Sequence, residues 1–236
     1  MGRLVKKIQK ALRNMGNPEI AVHSQRFFKA GKGEYGEGDR FLGIRVPVLR
    51  KQVKRYEGIS IDDAAELLQS EYHEVRLFSL LSLVDIFRKG RHTEKSDVYA
   101  LYLKHTHCIN NWDLVDCSAE HIVGAFLVDK SRKPLYALAR SEILWERRIS
   151  ILSTFHFIKA NEFSDTLEIA RILRDDREDL IHKAVGWMLR EVGKRDMAAE
   201  EQFLKDVYQN MPRTMLRYAI EKFPEETRIQ YLRGEV

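Results

Sequence analysis

The sequence predicts an all-α chain, and within that class an α-solenoid: helix pairs stacked in series into a single curved domain with a concave face. Three observations carry the expectation. Segments of helical period follow one another between stop signals along the whole length. No segment alternates apolar and polar residues as a half-buried strand does, and one pattern returns about every 35 residues. Only 5 prolines and 13 glycines punctuate the 236 residues, too few turn signals for an all-β chain of this size. A hydrophobic fraction of 44% and a charged fraction of 32% belong to a chain that buries a core, which excludes a disordered or collagen-like polymer.

Taken in order, Leu4, Ile8, Ala11, Leu12 and Met15 form a first apolar stripe, and Gly16 stops it. Asn17-Pro18 supplies a cap and a first-turn proline for a second helix, which Gly31 is expected to close. The 31–40 segment opens Gly-Lys-Gly-Glu-Tyr-Gly-Glu-Gly. It lacks the order of a phosphate-binding loop and no apolar strand precedes it, so it reads as a flexible, glycine-rich connector. Val46-Pro47 opens the next helix, Ser60 and Ser70 cap two more, and Gly90 ends a long one. Thr93, Asn111, Ser141, Asn161 and Ser164 are further caps.

The repeat emerges when one position is aligned in each long apolar helix. Arg76, Trp112, Arg148, Lys183 and Arg217 are spaced by 36, 36, 35 and 34 residues. A helix pair of this period cannot bury its apolar face alone and stacks on its neighbours. The aligned residues then form a row, and residues four further on, Asp116 and Trp187 among them, lie one turn away on the same face. Trp112, Asp116, Arg148 and Trp187 can thus converge. Arg76, Arg148, Lys183 and Arg217 make a basic stripe of the kind that follows a phosphate backbone.

The first residues place charges inside every short apolar run, so no signal peptide is expected. No apolar stretch approaches the roughly 20 residues of a membrane span. Cys108 and Cys117 are the only cysteines, too few for a structural zinc site or a disulfide framework, which points to reducing cytoplasm. His105 and His107 lack a third ligand, so no metal is expected. A net charge of +5 by itself says nothing about nucleic acid.

Asn111-Trp-Asp-Leu-Val-Asp116, Leu144-Trp-Glu-Arg-Arg148 and the run from Lys183 through Trp187 to Glu191 resemble the AlkD-like family of DNA alkylation repair glycosylases. Phe41-Leu-Gly-Ile-Arg-Val-Pro47 is similar to that family's FLGI-x-x-P segment. The resemblance runs from about Asn17 to beyond Glu191. It implies a HEAT-like solenoid that holds duplex DNA in a concave groove and hydrolyses the N-glycosidic bond of N3- and N7-alkylated purines, 3-methyladenine and 7-methylguanine among them. It implies Asp116 as the active-site carboxylate, Trp112 and Trp187 as flanking indoles, and Arg148 as the active-site arginine. Phe27 stands where the family has a tyrosine near the lesion. No cofactor is implied. The expected partner is duplex DNA carrying alkylated purines, bound by a monomer in the cytoplasm, at the nucleoid when on DNA.

These residue types suit that chemistry. A purine alkylated at N3 or N7 carries a positive charge and departs neutral, so the demand is for anionic stabilisation of the base and then of an oxocarbenium-like sugar. A carboxylate supplies it, and indole faces attract cations. Each residue also has a plainer reading. Trp187 suits a core, Asp116 a solvated helix acid, and Arg148 a repeat-to-repeat ion pair beside Arg147. Arg45 and Arg50 flank Pro47 and suit either a phosphate at a helix N-terminus or an exposed helix start. Arg190 and Lys194 either extend the basic face or favour a helix C-terminus. Asp113 reads as a structural first-turn acid, and Trp145 as packing. A DNA-binding solenoid without catalysis, for damaged or branched DNA, and a protein-binding scaffold are the alternatives.

Overall fold

Every long segment with helical period folds as a helix. The structure is a computed structural model that describes residues 2–236. Among these no strand forms, and an isolated bridge joins Arg40 to Tyr72. The chain packs as two compact units, Met1–Ile122 and Val123–Val236. The first carries α1 (Arg3–Arg13), α2 (Pro18–Phe27), α3 (Val46–Arg55), α4 (Ile61–Leu68), α5 (His73–Lys89), α6 (His92–Lys104) and α7 (Trp112–Asp116). The second carries α8 (Lys133–Ala139), α9 (Leu144–Ser153), α10 (Phe155–Lys159), α11 (Ser164–Leu173), α12 (Asp179–Gly193), α13 (Met197–Val207), α14 (Arg213–Ala219) and α15 (Glu225–Arg233). No helix among the described residues is long and apolar enough to cross a membrane, and Cys108 and Cys117 are unpaired thiols.

The first unit is built around α5, which packs against α3, α4, α6 and α7. The second is built around α12, in contact with α9, α11, α13 and α14. The stripe predicted for α1 buries Val5, Ile8 and Leu12. Asn17 caps α2 by accepting from the Ile20 amide at 3.0 Å, and Ser60 caps α4 through the Asp63 amide. Gly31 does not close α2: that helix ends at Phe27, and Lys29 turns the chain with φ 49°. Ser70 and Ser141 sit just outside α5 and α9, accepting from the Tyr72 and Ile143 amides. Thr93 lies inside α6, whose N-terminus Glu94 closes on the Arg91 amide, and Asn161 turns the chain with φ 60°.

The repeat is written in side-chain hydrogen bonds as well as in sequence. Ser82, Ser118 and Ser153 each donate to the carbonyl four residues back, on Phe78, Leu114 and Ile149. Ser79 donates to Ala64 on α4 at 2.6 Å, and Ser150 donates to Leu135 on α8 at 2.7 Å. Hairpins α4–α5 and α8–α9 are therefore equivalent. Arg76, Arg147 and His182 each reach the carbonyl six residues back, on Ser70, Ser141 and Asp176. This corrects the register: Arg76 corresponds to Arg147 and His182, and Arg148 and Lys183 lie one residue beyond the row. Arg76 and Arg148 are buried, so neither presents the basic surface that the sequence alignment suggested.

Residues 73 to 83 of α5 are all buried, yet they include His73, Glu74 and Arg76. Buried charge is tolerated only when paired. Glu74 accepts from three successive amides, Leu42 at 2.8 Å, Gly43 at 2.7 Å and Ile44 at 3.2 Å. That cradle explains the FLGI segment. Gly43 has φ 79°, and a Cβ there would lie 2.1 Å from the Asn17 carbonyl oxygen at the start of α2, so only glycine fits. We expect Glu74→Ala to lower the unfolding free energy by about 3 kcal/mol, because buried amides lose a charged acceptor. Ser82→Ala should change it by under about 1 kcal/mol. Urea denaturation of the two variants checks this.

Candidate functional site

Helix α7 has five residues, Trp112–Asp116, and its first N–H is met by the buried Asn111 side chain at 2.9 Å. Trp112 and Asp116 are one turn apart on it. Both are half-buried. The Trp112 ring stacks on Phe28 at 5.3 Å and meets Phe27 edge-on at 5.8 Å. Phe27 is 56% exposed, a large aromatic kept at the surface beside the indole.

Asp116 lines a cleft of about 820 Å³ within the first unit, shared with Arg50 and Lys54 of α3, Asp85, Arg88 and Lys89 of α5, and His121. Arg88 and Lys89 pair with Asp85 at 2.5 and 2.8 Å, which holds that carboxyl below the ordinary aspartate value, chiefly through the Lys89 hydrogen bond. Cys117, beside Asp116, is held in its thiol form. Burial pushes its thiol far up, and the negative charges of Asp113 and Asp116 push it further, against a smaller pull from Arg50. Arg50 and Arg45 are both exposed, Arg45 at the cap position of α3.

Behind α7 lies a buried charged network that the sequence did not announce. Asp113, in the first turn of α7, accepts from His73 Nε2 at 2.8 Å, and Asp39 accepts from His73 Nδ1 at 3.1 Å. Asp39 also accepts from Arg76 at 2.6 Å and from Asn110 at 2.9 Å. The glycine-rich 31–40 segment delivers Asp39. Rather than a featureless connector, it is a run of hydrogen-bonded turns in which the Gly36 and Asp39 amides donate to Lys29 and Gly36. At Gly36 a Cβ would lie 2.5 Å from the Phe28 carbonyl. Arg76, expected to contact DNA, is 4% exposed and engaged by Asp39, Asn110 and the Ser70 carbonyl. It is a structural cation, not a phosphate ligand.

Burial alone drives the His73 imidazole down, but hydrogen bonds to Asp113 and Asp39 and the charge of Asp113 outweigh both burial and Arg76, so its pKa rises to about 9. Burial likewise raises Asp39, and its hydrogen bond to His73 with the charge of Arg76 reverses this, leaving it below the ordinary aspartate value.

In the second unit, Trp187 on α12 is half-buried and packs on Phe155 at 6.0 Å. Lys159 and Arg195 lie over the Phe155 ring at 4.4 and 5.8 Å. Arg148 is 5% exposed, and one guanidinium nitrogen donates to the Leu180 carbonyl at 2.6 Å. It docks α9 on the start of α12 and is not the solvent-facing clamp that the repeat suggested. Arg147 pairs with Asp176 through two nitrogens, at 2.6 and 3.4 Å. Lys183 pairs with Asp179 at 2.7 Å and Arg190 with Glu221. Arg217 is exposed, and Trp145 is core. Residues missed by sequence reasoning are Phe28, Asp39 and His73. A histidine opening a helix beside Glu74 carried no motif, and the glycines around Asp39 drew attention to flexibility.

A family model described as DNA alkylation repair enzyme matches residues 8–223. No curated protein matches the chain. Among solved structures, the chain is similar to a predicted DNA alkylation repair enzyme from Enterococcus faecalis, with a TM-score of 0.68 and 17% identity over 89% of this chain and 98% of that one. At that identity the likeness establishes the fold.

The His73 network makes stability depend on pH. The folded value near 9 lies above the 6.5 of the unfolded chain, so the stabilisation is complete below about pH 6.5 and lost as pH rises through about 9. The loss should be on the order of 3 kcal/mol in wild type and largely absent in His73→Gln. Denaturant titrations across that window measure it.

Proposed function

Because the chain belongs to the DNA alkylation repair enzyme family, we propose that it is a monofunctional glycosylase for cationic N3- and N7-alkylated purines in duplex DNA. It would thus open base excision repair of alkylation damage. The observation that supports this most is the pairing on α7 of a carboxylate lining an open cleft, Asp116, with an aromatic-backed indole one turn away, Trp112.

In this reading, the bond between the base nitrogen and C1′ breaks with its electron pair moving to the base, which neutralises the lesion's charge. Positive charge develops on the sugar, and water adds to C1′ and gives up a proton. Asp116 stabilises that charge and orients the water. At about 4 Å and an effective dielectric near 20, one such pair is worth roughly 4 kcal/mol, or about 10³ in rate if felt only in the transition state. Trp112 offers an indole face to the cation, worth about 0.5–2 kcal/mol. Phe27 packs at the lesion's flank, and Arg50 and Arg45 meet phosphates of the same duplex. The resemblance implies a role for Trp187 of the second unit as a flanking indole, whereas Arg148 is buried on the Leu180 carbonyl and Lys183 and Arg190 are held in ion pairs.

The test is release of 7-methylguanine from methylated duplex under single-turnover conditions. Asp116→Asn should slow release by about 10³ with duplex affinity little changed, and Trp112→Ala should slow it by about tenfold or more. Duplex binding with a steep salt dependence and no release would leave a binding module instead.

A further inference from the structure

The pair on α7 cannot hold its own orientation. Five residues are far below the length at which a helix is stable alone, so the direction in which Trp112 and Asp116 point is set by what grips the start of α7. Beside the Asn111 cap and the Phe27 edge, two contacts there lead to His73. Asp113, the residue after Trp112, is hydrogen-bonded to His73 Nε2 at 2.8 Å. Phe28, which stacks on Trp112, lies 4.9 Å from the His73 ring, and Phe41 meets that ring at the same distance. A hydrogen-bonded path through Asp113 and its backbone, and a packing path through Phe28, thus join one imidazole to one indole.

We propose that His73 is a positioning residue for the α7 pair: as an imidazolium bridging Asp39 and Asp113, it fixes Trp112 and Asp116 against the substrate. The inference rests on the alkylpurine reading for its catalytic consequence, though not for its structural one. The charged groups facing His73 are Asp39 from the glycine-rich segment, Asp113 from α7 and Arg76 from α5, with Phe28 and Phe41 as the apolar faces. With the imidazole protonated, two carboxylates face two cations and the cluster is neutral. Loss of the proton removes one of the two N–H donors, so either Asp39, which keeps Arg76 and Asn110, or Asp113 loses its bond to His73. Asp113 has the freer position, its side chain being 15% exposed against 3% for Asp39, so deprotonation releases the start of α7 rather than the 31–40 segment. The bond to Asp113 is in place when the imidazole is charged, and its value near 9 keeps it charged at neutral pH.

The full chain, labelled with ¹⁵N-tryptophan, reports this directly. The Trp112 indole N–H resonance, assigned through Trp112→Phe, is followed from about pH 6 to about pH 10. Trp112 should move through a transition near pH 9, while the Trp145 and Trp187 resonances stay still through it. In His73→Gln the transition should vanish. Single-turnover release of 7-methylguanine by His73→Gln should fall by about tenfold or more, with duplex Kd within about threefold, and the alkaline limb of the wild-type rate profile should disappear with it. A Trp112 resonance that ignores the transition, or His73→Gln release within about twofold of wild type, overturns the proposal. If His73→Gln does not fold, the wild-type titration decides alone. If wild type releases no base, the glycosylase reading fails while the indole titration still settles the positioning role.

Discussion

A positive charge buried between two carboxylates is the constraint on which the first unit depends. Helix α5 is enclosed by its neighbours, yet its first turns carry His73, Glu74 and Arg76. Each must be answered from another part of the chain. The Leu42–Ile44 amides answer Glu74, Asp39 answers Arg76 and one edge of His73, and Asp113 answers the other edge. One short stretch of helix thereby pins the glycine-rich segment, the FLGI turn and the start of α7. Removing Asp39, His73 or Arg76 would strand a charged partner inside the protein, which typically costs about 3–5 kcal/mol. The contacts therefore hold together or fail together.

The same constraint links fold to chemistry. In the proposed reaction, stabilising the charge that develops on the sugar gains only if the stabilising group is already in place, since reorganisation during the reaction would consume the advantage. Asp116 and Trp112 sit on a helix too short to provide that rigidity. They borrow it from the buried network and from Phe28. The neighbouring thiol of Cys117, pushed far up by burial and by Asp113 and Asp116, stays protonated at neutral pH.

Much of the architecture was legible because it is written in local chemistry. The α1 stripe, the Asn17 and Ser60 caps, the Gly90 stop and the repeat near 35 residues follow from periodicity and capping rules that act within a few turns. The repeat register was misread by one residue in α9 and α12, because apolar runs align almost equally well one step apart. Only the serine and arginine bonds to backbone carbonyls separate Arg147 from Arg148. Arg76 looked like a surface cation because nothing local reveals a partner 37 residues upstream. Asp39 was hidden among glycines for the same reason: its role is long-range. Asp116 and Trp112 were found through family motifs, and their placement at a cleft and on Phe28 is what coordinates add.

The claim at the centre is that this site acts on charge. Base release in single turnover from two otherwise identical duplexes, one carrying cationic 7-methylguanine and the other neutral hypoxanthine, tests it most directly. A carboxylate and an indole placed for a cation should accelerate loss of 7-methylguanine well beyond its spontaneous rate and leave hypoxanthine in place. Comparable acceleration for both bases would contradict the role assigned to Asp116 and Trp112.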